Sequence, residues 1–158
     1  MQPYFLPYIG YFNLISAVDT FVIYDKIKYT KKGWINRNRM MNNGKDKLFS
    51  LPLKKDSNSL DICSRELAPV FNRKKLLNQF KSSYEKAKYF EETYTLLESI
   101  ILFENKNLFN YIYNSIKSLC KYLDINTNLV VSSEINYNHL LKGQDRVLDI
   151  CRTLEART

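Results

Sequence analysis

The spacing of apolar residues changes character within the first 25 positions, and that change constrains the fold more than any other feature of the chain. Tyr11, Leu14, Ile15 and Val18 recur at intervals of three and four, as on one face of a helix. Thr20-Phe21-Val22-Ile23-Tyr24 then forms a β-branched and aromatic run ending at Asp25, the pattern of a buried strand. Leu6-Pro7 keeps the helix from running further back, because the residue before proline is driven to extended geometry. Extended segment, turn, helix and strand, in that order, open an α/β unit.

The rest of the chain supplies matching pieces. Trp34 to Arg39 and Leu48 to Leu53 read as extended runs around a polar turn at Asn42-Asn43-Gly44-Lys45, and Asn43-Gly44 marks a hairpin. Helical spacing returns through Leu77, Phe80 and Tyr84, then Phe90, Tyr94, Leu97 and Ile101, then Leu108, Ile112, Ile116 and Leu123. Breaks near Lys88 and at Asn105-Lys106-Asn107 divide this stretch into two or three helices, and Cys120 falls on their apolar stripe. Leu129-Val130-Val131 is a short strand, and a last helix runs from Gln144 to about Leu154 with Val147, Leu148, Cys151 and Leu154 on one face. The fold expected is α/β, a Rossmann-like sheet (the nucleotidyltransferase type being one form of it) with an inserted unit of two to three helices. A single domain over 1–158 is expected, with an α/β half at 1–70, the helical insertion at 71–125, and a strand and helix returning to the sheet at 126–158. No strand follows the last helix, so the chain reads as cut short at its C-terminal end.

Charge is unevenly spread. The chain carries 24 Lys and Arg against 16 Asp and Glu, a formal net charge of +8. The segment 26–55 holds ten of those bases and one acid, Asp46, a local +9, and the remaining residues sum to −1. A solvating coat would be spread evenly; a local anion site would not. Within the segment, extended backbone would put Arg37 and Arg39 on one face and Asn36 and Asn38 on the other. Arginine forks grip phosphate or carboxylate with two parallel hydrogen bonds, and Lys32 adds to the field. Asparagine amides suit sugar hydroxyls or a base edge, and Trp34 offers a ring beside them.

Several chemistries are excluded by scarcity. Three widely spaced cysteines, Cys63, Cys120 and Cys151, never form a Cys-x-x-Cys pair and read as free thiols. The one histidine, His139, lies in a polar loop and reads as solvated, so no histidine-built metal site is expected. No apolar run approaches the ~18–20 residues of a membrane helix, and no secretory leader is visible, so a cytoplasmic address without a membrane span is expected.

Other constellations invite ligands. Gln2, Tyr4 and Tyr8 lead to Gly10 and Tyr11 at the mouth of the first helix, where free N–H groups and a residue without a side chain admit an anion. The Tyr8-Ile9-Gly10-Tyr11 spacing resembles the His-x-Gly-His turn of nucleotidyltransferase-like proteins. Tyrosine replaces both histidines and is not cationic near neutrality, so that resemblance implies weakened or absent nucleotidyl transfer. Asp25, at the carboxyl end of a strand, stands where α/β folds place ligands and is a candidate general base. Ser132, Ser133 and Arg146 could complete an anion site, and helix capping would explain the serines as well.

Three blocks of residues go further than spacing. Met1 to Phe12 (MQPYFLPYIGYF), Val18 to Asp25 (VDTFVIYD) and Gly33 to Arg39 (GWINRNR) together resemble the WbqC-like family of bacteria. Later pieces agree, among them Tyr84 to Phe90, Val131-Ser132-Ser133 and Gly143-Gln144-Asp145-Arg146, so the likeness covers nearly the whole chain. Members are encoded among genes for O-antigen and other surface polysaccharides, and the resemblance implies transfer of glycine or another amino acid to an amino sugar. It also implies a strand and further segment after the last helix, absent here beyond Thr158. Leu76 stands where relatives often carry histidine, which weakens any base role in that helix.

The expected activity is a transferase that acylates the amine of a nucleotide-linked amino sugar with a glycyl or other aminoacyl group. Arg37, Arg39 and Lys32 would hold the anion, Asn36, Asn38 and Trp34 the sugar or base, and Asp25 would take the proton. A non-catalytic nucleotide-sugar-binding or assembly subunit is the alternative. A nucleic-acid binder comes third, disfavoured because the charge is compact and no binding motif accompanies it. The partner expected is a nucleotide sugar or other phosphate-bearing small molecule. Nothing identifies a cofactor or metal, and self-association stays open.

Overall fold

A computed structural model describes residues 1–42 and 44–156 of the chain; Asn43, half of the expected hairpin turn, lies outside them. The described residues form a mixed α/β structure with five α-helices and two small sheets. The first helix, α1 (Ile9–Ser16), leads to β1 (Thr20–Ile23), which pairs in parallel with β4 (Asn128–Val131), Thr20 opposite Asn128 and Ile23 opposite Val131. Strands β2 (Arg37–Asn42) and β3 (Lys45–Ser50) form a separate antiparallel hairpin with Asn42 opposite Lys45. Gly44 takes φ +70, the left-handed geometry that a tight hairpin turn requires and glycine supplies.

Between the hairpin and β4 lie α2 (Arg73–Tyr84), α3 (Phe90–Ile101) and α4 (Leu108–Tyr122), interrupted where the sequence places the breaks. Asparagine side chains start two of them. Asn72 accepts from Lys75 N at 2.8 Å and Asn107 accepts from Asn110 N at 3.0 Å, each satisfying a backbone donor that a helix start leaves free. The buried stripe of α4, Leu108, Tyr111, Ile112, Ile116 and Cys120, follows the three-and-four spacing. Tyr111 is its hub: its ring lies 5.5 Å from Phe5 and 6.1 Å from Phe71, and its hydroxyl donates to Ile101 O at 2.8 Å. Phe5 in turn meets Phe49 of β3 at 6.3 Å, and Phe49 meets Phe80 of α2 at 5.2 Å. One aromatic chain thus joins the N-terminal segment, the hairpin and two helices.

A second, smaller core covers the other face of the parallel pair. Phe21 and Ile23 point into the main core; Val22, Tyr24 and Val130 pack instead on Ile135, Tyr137 and Ile150 of α5 (Gly143–Thr153). This is the two-residue alternation of a strand, with both faces covered.

Three local features depart from the sequence reading. Leu6 has φ +49, not the extended geometry expected before proline, although α1 still begins only after Pro7. The hairpin strands are displaced toward the turn, because Met40 and Phe49 are the side chains that sink into the core and Asn42 pairs directly with Lys45. On α5 the contact residue is Ile150, while Val147, Leu148, Cys151 and Leu154 are exposed. Among the described residues no helix is long and apolar enough to cross a membrane.

The packing sets a stability order. Ile112→Ala should cost about 2–5 kcal/mol, with a transfer loss and a residual cavity. Tyr111→Phe should cost about 1 kcal/mol by stranding the Ile101 carbonyl. Val70→Ala, on an exposed side chain, should fall within about 0.5 kcal/mol of wild type. Urea denaturation midpoints measure all three.

Candidate functional site

The first site is assembled from the N-terminal turn and the segment ahead of β2. Tyr24 N donates to Met1 O at 2.8 Å, so the chain opens beside β1, and Phe5 N donates to Ile35 O at 3.0 Å. Leu6, in the left-handed region that costs a non-glycine residue roughly 1–2 kcal/mol, is held by Asn38, whose amide donates to Leu6 O and, at 3.4 Å, to Phe5 O. Tyr8 then starts α1 from extended backbone, its ring 73% exposed. A Cβ at Gly10 would stand 2.3 Å from Tyr8 Cε2, so glycine is what allows that ring to lie over the helix mouth.

Opposite this turn stands Trp34. The guanidinium carbons of Arg37 and Arg39 lie 5.5 and 5.6 Å from its ring centre, so both arginines face it, as alternation predicts. Arg39 also pairs with Asp46 at 2.6 Å, an exposed ion pair worth at most about 1 kcal/mol. Arg37 closes the preceding turn: Nε donates to Gly33 O at 2.8 Å and Nη2 to Lys32 O, where Lys32 is left-handed at φ +68. Lys32 itself is exposed on that turn. Between these walls lies a cavity of about 450 Å³, lined by Tyr4, Tyr8, Gly10, Tyr11, Trp34, Asn38 and Arg39. Gln2 backs it, accepting from Tyr11 Oη on its carbonyl at 3.0 Å and from Tyr4 Oη on Oε1 at 3.3 Å. Asn36 is buried behind it, with its amide donating to Leu51 O at 2.7 Å and its oxygen accepting from Tyr29 Oη at 2.8 Å.

The second cluster lies at the carboxyl ends of the parallel strands. Asp25 is 5% exposed, and its Oδ1 accepts from Ser132 Oγ at 2.8 Å and from Ser133 N at 3.0 Å. The structure therefore brings Asp25 and both serines together, but not into the aromatic cavity. Arg146 is placed elsewhere again, donating from Nε to Leu141 O at 2.9 Å and from Nη1 to Lys26 O at 3.4 Å. It lines a further cavity of about 570 Å³ together with His139, which the sequence reading leaves as a solvated loop residue. The sequence gives no sign of the role of Tyr29, whose hydroxyl is explained by buried Asn36 beside it.

A protein-family comparison decides the relationship. The model of the WbqC-like protein family matches residues 2–158. The chain belongs to the WbqC-like protein family. It is also similar to a Mycobacterium tuberculosis protein named "Uncharacterized protein Rv1507c", with 29% identity over 161 residues, 99% of this chain and 68% of that protein. No solved structure matches.

In this WbqC-like chain Cys63 is tied to Asp25 through the backbone, its N donating to Asp25 O at 3.2 Å. Burial pushes the Cys63 thiol up, a hydrogen bond with Ser64 partly opposes this, and the Asp25 and Asp61 carboxylates add to the rise. The attacking species is the thiolate, so a raised pKa moves reactivity to higher pH. Alkylation followed by peptide mass spectrometry should label exposed Cys151 first at about pH 8, leave buried Cys120 unmodified in the folded protein, and show Cys63 labelling still climbing above about pH 9. Asn38→Ala should release the Leu6 turn at a cost of about 1–3 kcal/mol, with faster amide exchange at Phe5 and Leu6.

Proposed function

We propose that the aromatic cavity binds the nucleotide part of a nucleotide-linked amino sugar, and that the protein transfers a glycyl or other aminoacyl group to the sugar amine in the biosynthesis of bacterial surface polysaccharide. The observation that carries this reading is the convergence of Tyr4, Tyr8 and Tyr11 from one segment with Trp34 and Arg39 from another around one cavity. The exposed rings of Trp34 and Tyr8 give a base a surface to stack on, and Arg39 on the cavity wall supplies a cation for the phosphates, with Lys32 exposed on the adjoining turn. Asn36 and Asn38 serve by fixing the cavity walls, since their amides are committed to backbone carbonyls. The parallel β1–β4 pair, with Gly10 at the mouth of α1, is in keeping with a Rossmann-like fold of the nucleotidyltransferase type. The cytoplasm is the place such a reaction would occur.

Acylation joins the amine nitrogen to the carbonyl carbon of an activated aminoacyl donor, expels the donor's leaving group, and releases one proton from the nitrogen. Asp25 is the residue proposed to take that proton. Both of its described hydrogen bonds fall on Oδ1, which leaves Oδ2 to accept. The near-complete burial of Asp25 favours a second reading, a nucleotide-sugar-binding subunit without catalysis.

Thermal-shift titration separates these from no nucleotide binding at all. A nucleotide sugar at a hundredfold excess over Kd should stabilise the protein by about 2.7 kcal/mol, roughly 5–10 °C. Trp34→Ala should abolish the shift while leaving the unliganded Tm near wild type, because the side chain is 47% exposed. Absence of a shift with every nucleotide sugar tried well above millimolar would sink the proposal. Gly10→Ala should weaken the same shift by displacing the Tyr8 ring, and should hold or raise the unliganded Tm, since alanine favours a helix by about 1 kcal/mol over glycine. Acyl transfer from an activated amino acid, lost in Asp25→Asn with binding retained, distinguishes the enzyme from the binding subunit.

A further inference from the structure

We propose that the cleft between the end of β1 and the start of α5 is a second binding site, for a small molecule carrying adjacent phosphate groups. This goes beyond the reading of the aromatic cavity, with which the cleft shares no lining residue. Its walls come from opposite ends of the chain. Lys26 and Lys28 follow β1, and Lys142 and Arg146 bracket the start of α5 more than a hundred residues later. Arg146 spans the cleft floor, tied to Leu141 O on one side and Lys26 O on the other, so its guanidinium is fixed in place with N–H donors left over. Four cations thus surround one cavity, against a single lining carboxylate, Asp61. Neither ion pair found among the described residues, Arg39–Asp46 or Lys54–Glu66, involves any of the four.

Uncompensated like charges around a concave surface repel one another, and an anion in the cleft relieves all the pairs at once. The kinds of donor narrow the anion. A fixed guanidinium fork with three flexible ammonium groups suits several oxygens spread over neighbouring phosphates better than one carboxylate. About 570 Å³ is more than a lone phosphate needs and falls within the range of sites for nucleotide-sized ligands. On the rim, the exposed His139 ring lies 4.2 Å from the ring of buried Tyr137, tilted 46° to it, and is the one aromatic face open beside the cations among the described lining residues. The position is also the one where parallel strands present their carboxyl ends and ligands gather in α/β folds.

Isothermal titration calorimetry on the full chain tests the site with pyrophosphate, ATP, AMP and a single-stranded RNA oligonucleotide. Pyrophosphate and ATP should bind, AMP at least about tenfold more weakly than ATP, and the ATP affinity should fall steeply with added salt. Lys142→Glu and Lys26→Glu, both on exposed side chains, should each weaken pyrophosphate and ATP binding by about tenfold or more with an unchanged Tm. Trp34→Ala should leave the pyrophosphate affinity unchanged, since pyrophosphate has no base to stack in the aromatic cavity, which keeps failure here distinct from failure of the aromatic site. No heat with pyrophosphate or ATP, binding insensitive to both charge reversals, or RNA binding tighter than ATP would each overturn the assignment.

Discussion

Asp25 and Ser132 stand 107 residues apart in the chain and 2.8 Å apart in space, at the point where β1 and β4 finish side by side. Closing a loop of that length costs about 4 kcal/mol from its length-dependent entropy alone. The parallel ladder offsets this by burying Phe21, Ile23 and Val131 against the main core and Val22 and Val130 against α5. The buried Asp25 carboxylate locks the register by binding both a hydroxyl and a backbone N–H of the second strand's end. Everything lateral to the pair depends on it. The N-terminal turn is laid beside β1, and the basic cleft exists only because residues after β1 are brought to residues after β4.

The charge that stands out in the sequence is divided in space. Lys26 and Lys28 go to the cleft, Arg37 and Arg39 to Trp34, Lys54 to an exposed pair with Glu66, and Lys45 and Lys47 to the open edge of the hairpin. A single anion pocket for the whole +9 segment is therefore not what the fold builds. Neighbours in sequence are routed to separate surfaces because the segment includes a strand, a turn and a second strand within thirty residues.

How much of this was legible in the sequence varied with the kind of signal. Helices α2, α3 and α4 were, because long amphipathic spacing repeats its message over several turns. The hairpin turning at Gly44 and the burial of Cys120 were too. Leu6 was not, because its strain is sustained by Asn38, a residue 32 positions away whose amide no local rule connects to it. For the same reason Asn36 and Arg37 looked like ligand-binding groups: a sequence lists donors and acceptors without saying that the protein's own carbonyls have already engaged them. On α5 the apolar positions were visible, but which of them would meet the small core was decided by Ile135 and Tyr137, supplied by the preceding loop. His139 is the exposed loop residue that the sequence suggests; what the sequence does not show is that Lys26 lines the same cleft.

The pairing of the first strand with the last has a consequence on the ribosome. At about 5–20 residues per second, the partner of β1 is made roughly 5–20 s after β1 itself. During that interval Phe21-Val22-Ile23 lacks its β4 partner and the Ile135, Tyr137 and Ile150 side chains that cover one of its faces. The charged residues that follow it, Asp25, Lys26 and Lys28, then act as gatekeepers against premature association of nascent chains. The same lysines that line a cleft in the finished protein would thus have an earlier task, keeping an unpaired strand apart from its copies until the rest of the chain arrives.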